Sequence, residues 1–185
     1  YFLGMSLGGL LGGVVADIIG RRWTLILAIF TFSISSIICG FVDSIWVFTF
    51  FRALTGFGVF MMMVVSITYM SEMSPKESRG KWEGIISGIG FMVVPLVGVV
   101  CSMIIPTAPE AWRYIFYLGG VGLFAGLLCI VYLEESPRWL VSRGKIGDAE
   151  KIVHKLTGVN VDLSDTVASL SDKASMKDAV KEMFS

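Results

Sequence analysis

Residues 13–22 read GVVADIIGRR, a stretch that begins inside an uncharged run and ends on charges. The run extends from Tyr1 to Ala16; Asp17 follows it, and two arginines stand four and five places beyond that aspartate. Gly13 and Gly20 permit a tight chain, and the charges sit where headgroups and water begin. The stretch therefore reads as a hairpin between two membrane spans. A loop between spans accounts for the arginines, but not for Asp17, which lies inside the hydrophobic boundary and needs something to pair with it.

The remainder of the chain supplies the spans that such a hairpin requires. Of 185 residues, 55% are hydrophobic and 16% charged, and the mean hydropathy of +0.76 exceeds what a water-soluble domain of this size needs. Further charge-free runs cover Trp23 to Val42, Gly84 to Pro109 and Tyr114 to Leu133, and another, Ser44 to Ser71, is broken only by Arg52. A hydrocarbon core of about 30 Å takes roughly 20 helical residues to cross. The runs lack the alternation of a membrane barrel, and a helix satisfies its own backbone in lipid. The predicted fold is an all-α membrane protein with five transmembrane helices, at about 1–17, 23–42, 45–71, 83–105 and 113–133, within a bundle of residues 1–133. Residues 134–185 read as a linker with two amphipathic stretches, 146–158 and 176–184, with helices lying on a membrane surface as the rival reading.

Lysine and arginine crowd the turns after the first, third and fifth spans, and the opposite turns hold only Asp43, Glu110 and Arg113. By the positive-inside rule the crowded side is cytoplasmic, so the chain starts outside and ends inside. The odd number of spans and the start at Tyr1 within an apolar run are expected of a fragment. Cys39, Cys101 and Cys129 fall within spans as small hydrophobes, and His154 has no metal-ligand spacing around it. No metal site, cofactor or nucleic-acid partner is expected, and neither a phosphate loop nor a catalytic constellation appears, so the chain does not read as an enzyme.

Four motifs then carry a family resemblance. G-x-x-x-D-x-x-G-R-R, over residues 13–22, resembles the loop signature between the second and third helices of the major facilitator superfamily, although Ile18 stands where the family often has a basic residue. RALTGFG (52–58) resembles its fourth-helix pattern, YMSEMSPKESRGK (69–81) its link between helices four and five, and EESPRWL (134–140) the sequence after helix six in sugar porters and related metabolite and organic-ion branches. Glu134 replaces the usual first proline. The motifs occur in the family's order over residues 1 to about 145, so the spans correspond to helices 2–6 of that fold. The same residues read physically as helix starts: Ser74 as a cap with Pro75 and Glu77 in a capping box, and Ser136 as a cap with Pro137 opening and Gly144 ending the helix. Structural turns are expected at Gly13, Gly20, Gly56, Gly58, Gly80 and Pro137. Glycines four apart (Gly4, Gly8, Gly12; Gly9, Gly13; Gly84, Gly88; Gly122, Gly126) read as close helix packing, and Pro95 as a kink.

The resemblance implies that Asp17, Arg21, Arg22, Glu72, Arg79, Glu135 and Arg138 form a cytoplasmic charge network that holds two six-helix halves together when the cavity opens outward. It also implies that Arg52, which costs about 2.5–3.5 kcal/mol to place in a span, pairs with a carboxylate on the first helix in proton-coupled members. Arg52, Ser87 and Tyr69 are the candidate substrate or coupling residues, with Phe91 and Trp112 as further aromatic candidates. Ser87 stands where sugar porters carry a glutamine that helps bind hexose, which favours another metabolite. The function expected is secondary transport of an organic acid, organic ion or sugar-like solute by alternating access, driven by a proton gradient. Its partners are the small-molecule substrate, membrane lipids and a C-terminal half. A non-transporting nutrient sensor on the same fold and an uncoupled hexose facilitator are the alternatives.

Overall fold

A computed structural model describes residues 1–74 and 78–158, and these are helical, with no strand among them. The chain divides into two units, Tyr1–Leu133 and Glu134–Ser185. In the first unit the helices are α1 (Phe2–Ile19), α2 (Arg21–Phe41), α3 (Ile45–Met73), α4 (Arg79–Ile104), a 3-10 turn at Ile105–Thr107, α5 (Trp112–Leu118) and α6 (Val121–Tyr132). Among the described residues, five stretches are long and apolar enough to cross a bilayer, the last being α5 and α6 together. The chain is accordingly a multi-pass membrane protein. The helices run past the ends of the charge-free segments: α3 continues to Met73 and α4 begins at Arg79.

Several expected turns are not turns. Gly13 lies within α1, Gly56 and Gly58 within α3, and Gly80 is the second residue of α4. The reversal between α1 and α2 rests on Gly20 alone, whose φ of 109° a side chain rarely allows. Ser74 does not start a helix either: it ends α3 in an extended conformation, and α4 starts after Ser78. Pro75 and Glu77, the other members of the predicted box, lie outside the described residues.

Within lipid, helices gain little from burying apolar side chains against one another, so close packing relies on small residues. A Cβ on Gly4 would stand 1.8 Å from the Ala53 carbonyl oxygen, and one on Gly8 would stand 2.2 Å from that of Phe57. Gly12 meets Met61 in the same way, 3.2 Å from its Cα. The pairs advance together along both helices, so α1 and α3 run parallel with their backbones in contact. The next step brings Ala16 beside Val65, in a core shared with Leu25 and Tyr69. Gly56 and Gly58, rather than turning the chain, admit Tyr1 and α2: a Cβ would lie 2.7 Å from the Tyr1 oxygen and 2.8 Å from the Phe32 nitrogen respectively.

The most enclosed helix is α2, which packs against α1 and α3 on one side and α5 and α6 on the other. Beside the buried Leu25, Ile26 and Ile29, most of its buried positions are small, which lets it lie between them: Thr24, Ala28, Ser33, Ser35, Ser36, Cys39 and Gly40. Facing them, Gly119 meets Ser36, Gly122 meets Ser33, and Gly126 meets Ile29 and Phe30. Residue numbers rise on one helix as they fall on the other, so α2 and the α5–α6 span are antiparallel. By contrast, α4 has no buried residue, passes unbroken through Pro95, and leaves Gly84 and Gly88 without any atom within 4 Å of an added Cβ.

The second unit contains α7 (Pro137–Ser142) and α8 (Ile146–Thr157). Ser136 accepts a hydrogen bond from the Trp139 amide at 3.3 Å, Pro137 is the first helical residue, and Gly144 carries the chain onward at φ 72°. Leu140, Val141 and Ala149, flanked by Trp139 and Ile152, form a small core between the two helices. The amphipathic stretch 176–184 lies outside the described residues.

Gly8→Ala is expected to destabilise the full-length protein by about 1–3 kcal/mol, because backbone must move to admit the methyl group. Gly13→Ala, where no atom lies within 4 Å, should be neutral or stabilising by up to about 1 kcal/mol through helix propensity. Thermal unfolding in detergent compares the two; equal losses would mean that the α1–α3 contact is not a close-packed seam.

Candidate functional site

The reversal at Gly20 places Arg21 at the first position of α2, directly below the end of α1. Its guanidinium has three kinds of partner. Nη1 donates to the Ala16 carbonyl at 3.0 Å, Nε and Nη2 fork onto Glu72 at 3.1 and 3.2 Å, and Nη2 lies 2.9 Å from Asp17 Oδ1. The Arg21 and Glu72 side chains are 12% and 6% exposed, whereas Asp17 is 71% exposed. The forked, charge-assisted Arg21–Glu72 pair is thus the shielded contact and Asp17 its wet rim. Together they join the ends of α1 and α3 to the start of α2.

The neighbouring Arg22 reaches elsewhere. Its Nη2 donates to the Ile130 carbonyl of α6 at 2.6 Å, with the guanidinium 5.4 Å from the centre of the Trp23 ring. That contact joins residues 108 apart and has no signature in the local sequence. Arg79 stands apart at the start of α4, its Nε buried without a hydrogen-bond partner among the described residues. Glu135 and Arg138 belong to the second unit, where a Glu135 carboxylate oxygen accepts from the Ser136 amide at 3.0 Å.

Arg52 lies in α3, about 12 Å along the helix from Ser44 at 1.5 Å per residue. Its guanidinium is 4.6 Å from the centre of the Tyr1 ring and 5.3 Å from that of Phe116. Two aromatic faces stabilise a cation without neutralising it, and no ion pair among the described residues includes Arg52. Of the other substrate candidates, Trp112 packs edge-on against Phe116 with ring centres 5.8 Å apart, and the rest are not gathered around Arg52. Tyr69 is 8% exposed and packs with Ala16, Leu25 and Val65, whereas Ser87 and Phe91 are exposed on α4.

A second cluster, to which sequence reasoning gave no role, lies at the opposite end of α2. Arg113, at the start of α5, donates to the Gly40 carbonyl at 3.0 Å, pairs with Asp43, and has Glu110 3.3 Å from its Nε. Tyr117 donates to the same Gly40 oxygen at 3.0 Å. Asp43, Arg113, Phe48 and Trp112 border a cavity of about 250 Å³. The available signal was an arginine just inside a helix start, on the side of the protein otherwise short of basic residues. Among the described residues no group of His, Cys, Asp and Glu is arranged to hold a metal ion.

The family model for sugar (and other) transporters matches residues 1–185. The chain belongs to that family, within the major facilitator superfamily. It is 41% identical over 155 residues to YyaJ of Bacillus subtilis, designated a metabolite transport protein, covering 84% of this chain and 34% of that one. It is 34% identical over 148 residues to the inner membrane metabolite transport protein YdjE of Escherichia coli, covering 80% and 32%. Among solved structures it resembles the xylose transporter XylE of E. coli in a partially occluded inward-open conformation, with TM-score 0.80, 26% identity, and coverage of 96% of this chain and 47% of that one. A structure of XylE described as a proton:xylose symporter and bound to 6-bromo-6-deoxy-D-glucose matches with TM-score 0.79 and 28% identity, over 90% of this chain and 40% of that one. The chain therefore spans about a third of the length of these curated relatives.

Glu72→Gln, which removes the shielded carboxylate and leaves Arg21 with its exposed partner Asp17, is expected to cost about 2–3 kcal/mol in the full-length protein, the scale of hydrogen bonds to a charged group. Asp17→Asn should cost no more than about 1 kcal/mol, as for an exposed pair. Thermal melts of both variants check the order, and a larger loss for Asp17→Asn would reverse the assignment of core and rim.

Proposed function

We propose that this chain is part of a secondary transporter that moves a small organic metabolite across a membrane by alternating access, with protons as the coupling ion. The observation that carries the reading is Arg52: a cation within an apolar span, stacked between Tyr1 and Phe116, in a chain of the sugar (and other) transporter family. An arginine held by ring faces keeps its hydrogen-bond donors for an acceptor outside these five spans. A carboxylate of the full protein would let that acceptor take up a proton during the cycle. The description of XylE as a proton:xylose symporter supports this choice of ion. Ser87 offers one hydroxyl where sugar porters offer an amide, which favours an organic acid or organic ion over a hexose.

The side bearing Arg21, Arg22 and Lys81 is assigned to the cytoplasm, since basic residues concentrate there. The Asp17–Arg21–Glu72 cluster lies on that side and ties three helix ends together. It is suited to act as one face of a latch that closes against the C-terminal half when the cavity faces outward. Interactions at such a latch need supply only a few kcal/mol to bias two packings.

The test is uptake by full-length protein in proteoliposomes, using labelled organic acids, organic cations and pentoses under an imposed pH gradient. Accumulation of at least one probe, collapsed by a protonophore, is expected. Arg52→Ala should lower gradient-driven accumulation at least about tenfold while solute counterflow persists, since coupling rather than translocation is lost. Loss of both activities would move Arg52 to substrate binding. Unchanged accumulation would leave it as a packing residue and remove proton coupling through this site.

A further inference from the structure

We infer that Arg22 and Arg113 form a reciprocal clamp that fixes α2 against the α5–α6 span at both ends, so that the pair behaves as one strut during any movement of the bundle. A helix terminus leaves its last carbonyls without intrahelical partners, and in a low-dielectric surrounding an unmatched carbonyl is costly. In α6 the final helical bond is that from the Leu133 amide to the Cys129 oxygen, 3.0 Å long. The next carbonyl, Ile130, accepts from Arg22 at 2.6 Å. In α2 the final bond runs from the Val42 amide to the Ile38 oxygen at 3.2 Å. A carbonyl beyond it, Gly40, accepts from both Arg113 and Tyr117 at 3.0 Å.

Each arginine stands in the first turn of one helix and serves the C-terminal end of the other. Arg22 reaches from the start of α2 to the end of α6, and Arg113 from the start of α5 to the end of α2. The positive charge lies against the negative end of the neighbour's dipole in both cases. Because the helices are antiparallel, the two attachments fall at opposite faces, about 27 Å apart along α2 from Arg22 to Gly40 at 1.5 Å per residue.

Between them the contact is narrow and toothed. Ser33 is fully buried where Gly122 leaves room, and a Cβ on that glycine would stand 2.1 Å from the serine oxygen. Ser36 donates to the Phe116 carbonyl at 3.0 Å. Sliding α2 along the span by one residue would break both end attachments at once and drive Ser33 into a neighbouring side chain. Arg22 and Arg113 are positioning residues in this scheme: they touch backbone and hold helices in register.

Amide hydrogen exchange of the full-length protein in nanodiscs tests the clamp. Arg22→Gln is expected to accelerate exchange in the segment containing Leu133 roughly 5- to 10-fold, the effect of losing one charge-assisted hydrogen bond. Exchange around Val42 should change less than about twofold, and Arg113→Gln should give the opposite pattern. Independent caps this far apart act additively, so a clamp is recognised in the double variant, where acceleration at each end exceeds the product of the two single effects. Arg22→Lys, which keeps a charged donor, should stay within about twofold of wild type. Tyr117→Phe removes one donor to Gly40 without altering charge, and should accelerate the Val42 segment alone if the glutamine variants fail to accumulate. Unchanged exchange around Leu133 in Arg22→Gln, or around Val42 in Tyr117→Phe, would overturn the proposal, as would strictly multiplicative effects in the double variant.

Discussion

The carbonyl oxygen of Phe57 lies where a side chain on Gly8 would have to begin, and the rest of the bundle depends on that approach. In lipid the driving force for helix association is contact and hydrogen bonding rather than escape from water. Backbones that touch along Gly4, Gly8 and Gly12 obtain that contact and fix the register of α1 on α3. Once the register is set, Ala16 reaches Val65, and the end of α3 brings Glu72 to the single-residue turn where Arg21 emerges. The polar cluster is therefore a consequence of the apolar seam. Any residue other than glycine at Gly8 would shift the pair of helices and pull Glu72 away from Arg21.

A second regularity concerns the ends of helices. Arg21 meets the Ala16 carbonyl, Arg22 the Ile130 carbonyl and Arg113 the Gly40 carbonyl. In each case a guanidinium at the start of one helix meets the last turn of another. Arginine suits the place because its planar fork can satisfy a carbonyl and a carboxylate together, as Arg21 does with Ala16 and Glu72. The charges at the membrane faces thus serve architecture as well as orientation. The bundle is tied in this way at helix ends near both ends of α2.

The helix α4 stands in contrast to this fixed core. It has hydrophobic side chains all round, yet none of its residues is buried. An all-round apolar surface suits a span that faces lipid as well as one enclosed by other helices. The chain covers about a third of the length of the relatives to which it is similar.

The sequence by itself determined the class and number of spans, because a run such as Trp23 to Val42 has no other stable form in lipid than a helix. It also marked Asp17 as a residue needing a partner, since a carboxylate at an apolar boundary is costly alone. Arg21, four residues on, is that partner, but the sequence did not identify the shielded carboxylate that Arg21 itself meets: Glu72 is 51 residues from Arg21, and the choice depends on how α1 lies on α3. Periodicity treated Gly4, Gly13 and Gly84 alike, although Gly4 touches backbone and the other two meet nothing within 4 Å. Spacing records which face a residue occupies and is silent about what stands opposite it. For the same reason Arg22 read as one of a pair with Arg21, whereas the fold sends the two guanidinia to different helices. Covalent neighbours share a turn, but at a helix start successive side chains diverge by about 100°, and only the packed bundle decides what each one meets.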